Sequence, residues 1–219
     1  VGINAVAERL EREYPGHYLE TPAYTYTRKA PRTIKPRDNV IIRLCSIECD
    51  FARPLADPSA EANLLFAQDI REWSAISKTL YIWDYTPNFR NFLSPHPNFH
   101  VLQPNLAFFA AHHVKGIFEQ GYHGLGGEFG HLRRYLIGKC MWDPSSDATA
   151  LRDEFLRLYY GEAAPHLAAY IDLITRRVLD SGHMMTCFDP LPWMDAATVE
   201  EARRLFRRAF EAVSDETLR

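Results

Sequence analysis

Through Gly121, short continuous apolar runs alternate with stretches whose apolar residues recur every three or four positions. Residues 3–14 carry apolar residues at helical spacing with Arg and Glu between them, and Pro15 and Gly16 end the pattern. "HYLETPAYTYT" (17–27) alternates and is rich in Tyr and Thr, which predicts a strand. Prolines then punctuate a loop up to Asp38. "NVIIRLCSIECDF" (39–51) opens on a continuous β-branched run, the mark of a strand covered on both faces. A helix is predicted over 60–77, and Lys78 hands over to the strand "TLYIWD". A loop rich in Pro and Asn follows. Pro104 is expected to start a helix over 105–113, and "VKGIFEQG" (114–121) reads as the next strand.

From Glu128 onward the period changes. "EFGHLRRYLIGKCMWD", "ATALRDEFLRLYYG", "AAPHLAAYIDLITRRVLDSG" and "AATVEEARRLFRRAFEAV" all read as amphipathic helices, with no strand among them. Strands alternating with helices, and apolar on both faces, follow the grammar of a parallel α/β sheet. Four such strands before a helical tail, with a helix already under way at Val1, predict the C-terminal half of a (β/α)8 TIM-type barrel. The expected domains are a partial barrel over 1–143 and a helical region over 144–219. The N-terminal half of the barrel is expected to precede Val1.

Composition narrows the function. With 25 basic and 28 acidic residues, the net charge of -3 offers no field for nucleic acid, which is excluded as a partner. No apolar run approaches the roughly 20 residues that cross a bilayer, so no membrane insertion is expected. Cys45, Cys49, Cys140 and Cys187 are too few for a disulfide framework and complete no zinc pattern. They read as buried thiols, and neither metal nor cofactor is expected. Adjacent His112 and His113 point in different directions on a helix and read as a helix end. His123 and Glu128 flank "GYHGLGGEFG", whose spacing is wrong for phosphate binding; Glu128 suits the start of the following helix.

In such barrels the working residues stand at the C-terminal ends of strands. Asp84 closes "LYIWD", Glu119 closes "KGIFE", and Glu48 lies near the end of "IIRLCSIE". Acids brought to one mouth suit glycoside hydrolysis, in which one carboxyl protonates the leaving oxygen and another serves as nucleophile or base. Trp83, Tyr85, Phe118, Tyr122 and Tyr24 would provide stacking surfaces for a sugar, with Gln120 and Asn105 as hydrogen-bonding groups. Plainer readings stand beside these. Asp84 before "YTPN" also fits a turn former, and Glu48 could pair with Arg43 or Arg53. Glu is a poor turn residue, which leaves Glu119 the harder of the three to explain structurally.

The ordered blocks "NVIIRLCSIECDF", "DIREWSAISKTLYIWDYTPNF", "QPNLAFFAAHHVKGIFEQG" and "LRRYLIGKCMWDPSSD…EFLRLYYGEAAP" resemble the bacterial barrel family filed as domain of unknown function 4838. The "WDY" and "FEQG" blocks are the most specific. The resemblance implies a carbohydrate substrate and a barrel similar to those of hexosaminidases and α-glucuronidases. Some members are classed as endo-acting β-N-acetylglucosaminidases that process N-glycans, often in the periplasm or at the cell surface. It places Asp84 and Glu119 on the family's strand-end acids and Glu48 on a third acidic position. The neighbouring Asp-Glu pair of hexosaminidase-type enzymes does not occur in this stretch. An exo-hydrolase of uronic acid sugars, using Arg43 or Arg90 to hold the carboxylate, and a non-catalytic glycan-binding protein are the competing expectations.

Overall fold

The computed structural model describes residues 2–122 and 126–214 of the 219-residue chain, so His123 lies outside the described residues. The elements are α1 (Gly2–Glu13), β1 (Leu19–Ala23), β2 (Val40–Cys45), α2 (Glu61–Ile76), β3 (Thr79–Tyr85), α3 (Phe99–Ala111), β4 (Val114–Gln120), α4 (Gly130–Trp142), α5 (Ala148–Tyr160), α6 (Ala164–Asp180) and α7 (Ala196–Ala212). The strands form one parallel sheet in the order β1-β2-β3-β4, the α/β arrangement that the patterning predicts. Two compact units share the chain. One gathers residues 2–49, 55–86 and 107–121, and the other gathers 50–54, 87–106 and the described residues from 122 onward.

In the first unit, strand alternation and parallel register sort the side chains onto two faces. Val40, Ile42 and Leu44 of β2, Leu80 and Ile82 of β3, and Ile117 of β4 share one face. Val40, Leu44 and Ile82 are fully buried there, as are Ala7 of α1 and Phe66, Ala67 and Ile70 of α2. A cavity of about 220 Å³, bounded by Ile3 of α1, Trp73 of α2 and Thr21, Ala23, Val40 and Ile42 of the sheet, locates both helices over this face. Each of the larger buried aliphatics contributes about 1.5–3 kcal/mol. The opposite face carries Arg43, Tyr81, Trp83 and Phe118 and stays partly open, with Phe118 45% exposed. On that face the Tyr81 ring lies over Gly116, where an added Cβ would come within 2.8 Å of the ring.

Two expected boundaries move. The strand expected over 17–27 stops at Ala23, and residues 25–27 form a 3-10 turn. Thr27 Oγ1 accepts the Tyr24 N–H at 3.0 Å, and the Thr27 N–H donates to the Tyr24 carbonyl at 3.0 Å. This local closure takes the backbone groups that a longer strand would pair. Helix α3 starts at Phe99, not after Pro104, which sits inside it. Proline removes one helical hydrogen bond, at a cost of about 3 kcal/mol. Leu102, Leu106 and Phe109 fall on one stripe and are all buried, and their burial outweighs that loss.

The second unit contains all four helices read from the C-terminal pattern. Leu167, Tyr170, Ile171, Ile174 and Val178 form the buried stripe of α6. Asp147 and Asp195 accept the first free N–H groups of α5 and α7, respectively. No helix among the described residues is long and apolar enough to cross a membrane.

Candidate active site

Asp84 and Glu119 are direct register partners on neighbouring parallel strands, at the C-terminal edge of the sheet. The alternation that buries Leu80 and Ile82 carries Asp84 onto the same face, and Ile117 does the same for Glu119. Asp84 is 7% exposed. Its Oδ1 accepts two hydrogen bonds, one from the Ser46 hydroxyl and one from the Tyr85 N–H at 2.9 Å. Ser46 stands one strand step beyond Leu44, and its own N–H donates to the Trp83 carbonyl at 3.1 Å, extending the β2–β3 ladder. Glu119 differs: its Oε2 is closed off from solvent and has no hydrogen-bond partner.

Electrostatics follow from these surroundings. Burial raises the Asp84 pKa above the ordinary carboxylate range, while the Ser46 hydroxyl and the Tyr85 N–H pull it back. Burial lifts Glu119 well above that range, and the neighbouring Asp84 charge lifts it further. Two carboxyls so close, in a region of low dielectric, titrate as a unit. Such a pair favours a single negative charge over two, one carboxylic acid beside one carboxylate.

Trp83, Tyr85, Phe118 and Gln120, all expected to surround these acids, lie on the opposite, more open face of the sheet. There Trp83 Nε1 donates to Gln120 Oε1 at 2.7 Å. The Trp83 ring meets Phe118 edge-on at 4.9 Å and stacks with Tyr85 at 6.5 Å. The Arg43 guanidinium lies 5.6 Å from the Trp83 ring and pairs with Glu20 at 2.6 Å. Trp83, Tyr85 and Gln120 therefore form one cluster and Asp84 with Glu119 another, divided by the sheet. Tyr24, 39% exposed, belongs to the turn after β1.

Glu48 stands apart from the acid pair. It pairs with Arg28 at 2.7 Å, not with Arg43 or Arg53; Arg43 is taken by Glu20 and Arg53 by Asp50. Arg28 also binds Asp69 at 2.6 Å, and both Arg28 and Asp69 line a cavity of about 510 Å³ between residues 28–32 and α2. Neither Asp84 nor Glu119 borders that cavity.

Asn105, Tyr122 and Glu128 belong to the second unit. Asn105 lies within α3, and Tyr122 packs against Phe92 with Arg134 over its ring. Glu128, two residues before α4, is held by buried Arg133 at 2.7 Å. His112 and His113 form the turn between Ala111, the last residue of α3, and β4: the His112 ring stacks on Phe108, and His113 takes a left-handed φ of 61°. All four cysteines are buried thiols outside any disulfide.

The sequence reading missed Ser46 and Arg28. Ser46 continues the two-residue step Ile42, Leu44, which was its available signal. Arg28 had none, because its partners Glu48 and Asp69 are remote in the chain.

A family model described as "Domain of unknown function (DUF4838)" matches residues 2–172. Comparison with curated proteins and with solved structures gave no match.

Proposed function

The chain belongs to the DUF4838 family, and from that premise we propose that it is a glycoside hydrolase acting on an amino-sugar-containing glycan, with endo-β-N-acetylglucosaminidase-like activity. In this reading the four-stranded sheet is the second half of a (β/α)8 barrel, and Asp84 and Glu119 do the proton chemistry. The observation that carries it is the in-register carboxyl pair at the C-terminal edge, in which one member has two donors on a single oxygen and the other has a buried oxygen with none. Such a pair holds one acid ready at neutral pH, as cleavage of a glycosidic bond requires. The acid gives its proton to the glycosidic oxygen while the bond to C1 breaks, and both bonding electrons stay on that oxygen. Water then bonds to C1 and gives a proton to a carboxylate of the pair, restoring the starting charge. Trp83, Phe118 and Gln120 on the open face supply stacking and amide groups for a chain crossing the sheet edge. An exo-hydrolase of uronic acid sugars is less well supported, since Arg43 is committed to Glu20.

A second reading is favoured by the division between the two faces. A glycan-binding protein would use the open Trp83 cluster alone, with the carboxyl pair as a buried structural feature. Asp84→Asn and Trp83→Ala in the full-length protein separate the two, measured by product release and by glycan binding. The hydrolase reading expects Asp84→Asn to bind normally and cleave at least a hundredfold more slowly. Binding by wild type without any product release would select the binding protein instead.

A further inference from the structure

Which member of the carboxyl pair carries the charge is decided by hydrogen-bond supply. Asp84 Oδ1 receives both the Ser46 hydroxyl and the Tyr85 N–H, and Ser46 is itself 2% exposed. Donors directed at an oxygen favour its ionised form, whereas a buried oxygen with no donor disfavours ionisation. The Ser46 hydroxyl has a single proton, and its alternative acceptor, the Trp83 carbonyl, is distant at 3.5 Å. The hydroxyl is therefore committed to Asp84.

No cation in the strands competes for this assignment: Lys115, on the same strand as Glu119, is exposed and does not act on its carboxyl. Arg43 and Cys45 of β2 belong to the opposite face by register, and burial pushes the Cys45 thiol up to about 11. On α2, Asp69 pairs with Arg28, and Arg71 lies over the Phe108 ring. Asp84 is the one charged group whose field acts on Glu119 among the described residues.

We infer that Ser46 is a positioning residue that fixes the negative charge of the pair on Asp84 and so keeps the proton on Glu119. As a role in catalysis this rests on the hydrolase reading. As a statement about where the proton sits, it stands without it. In the hydrolase reading it makes Glu119 the proton donor and Asp84 the carboxylate, and Ser46 acts only through Asp84.

Infrared spectroscopy of the full chain at neutral pH tests it, with carboxyl-carbon labelling of Asp or of Glu to identify each band. A protonated carboxylic acid band should shift with Glu labelling, disappear in Glu119→Gln and survive in Asp84→Asn. Glu128, whose pKa burial also raises, is removed from the comparison because its contribution is common to both variants. In Ser46→Ala, part of the protonated band should move to the Asp-labelled position, and Ser46→Thr, which restores a hydroxyl, should return it. A band lost in Asp84→Asn but kept in Glu119→Gln would overturn the assignment. So would a Ser46→Ala spectrum identical to wild type. If Ser46→Ala does not fold, the wild-type, Asp84→Asn and Glu119→Gln spectra still decide where the proton lies. A wild type that releases no glycan product, while showing the Glu119 band, would sink the hydrolase reading and leave the proton assignment standing.

Discussion

Asp84 and Glu119 face each other from adjacent parallel strands, yet only Asp84 is supplied with hydrogen-bond donors. The pair combines burial, proximity and unequal solvation, each of which moves proton affinity.

An acid with a carboxyl oxygen closed off from solvent costs stability wherever the unfolded chain would rather ionise. Glu119 ordinarily titrates near 4.5, and in the fold its pKa lies well above that. Between those two values the folded state binds more protons than the unfolded state, so stability falls as pH rises through this window. Glu119→Gln has no proton to lose. Its melting temperature should match wild type below about pH 4.5, the ordinary value, and exceed it increasingly toward neutrality. A variant less stable than wild type at neutral pH would contradict the picture.

His96 provides the opposite sign in the second unit. It is 1% exposed, neither ring nitrogen has a partner, and burial with the Arg133 charge lowers its pKa well below 6.5. The unfolded chain takes up this proton near pH 6.5 while the folded chain resists. Stability should therefore drop as pH falls below that value. His96→Gln should flatten the drop between pH 6.5 and the folded value, as read by melting curves at successive pH values.

Gly116 is required by a close approach and not by its backbone angle. Gly116→Ala should cost about 1–3 kcal/mol in denaturant unfolding, because its new carbon would meet the Tyr81 ring. The double variant Tyr81→Ala/Gly116→Ala should lose less than the sum of the two single changes. Full additivity would show that the ring is not the obstacle.

The sheet depends on its helix-covered face. Ile82 is fully buried, on the face it shares with Leu44 and Leu80. Ile82→Ala should destabilise by about 2–5 kcal/mol by chemical denaturation. Loss of under 1 kcal/mol would mean that this face is less closely packed than its burial implies.

The strands were legible because β-branched runs such as "VII" and "TLYIW" have few alternatives to a covered parallel sheet. The C-terminal helices were legible from period alone, since each must bury one stripe. What could not be read was local competition and register. Thr27 turns the chain back on Tyr24 and shortens β1, and a buried stripe carries α3 through Pro104. Pairing of Asp84 with Glu119 was accessible only as two similar strand endings. Which face each side chain takes depends on register, and that separates the acids from Trp83 and Gln120. Glu48 paired with a residue twenty positions earlier, outside the reach of any local pattern.

The most direct measurement is product release from a panel of N-glycans by the full-length protein beside its Glu119→Gln variant. The account predicts cleavage by wild type and a loss of at least about a hundredfold in the variant, with the fold retained. Equal cleavage by both would contradict the role given to Glu119, and no cleavage by either would contradict hydrolysis itself.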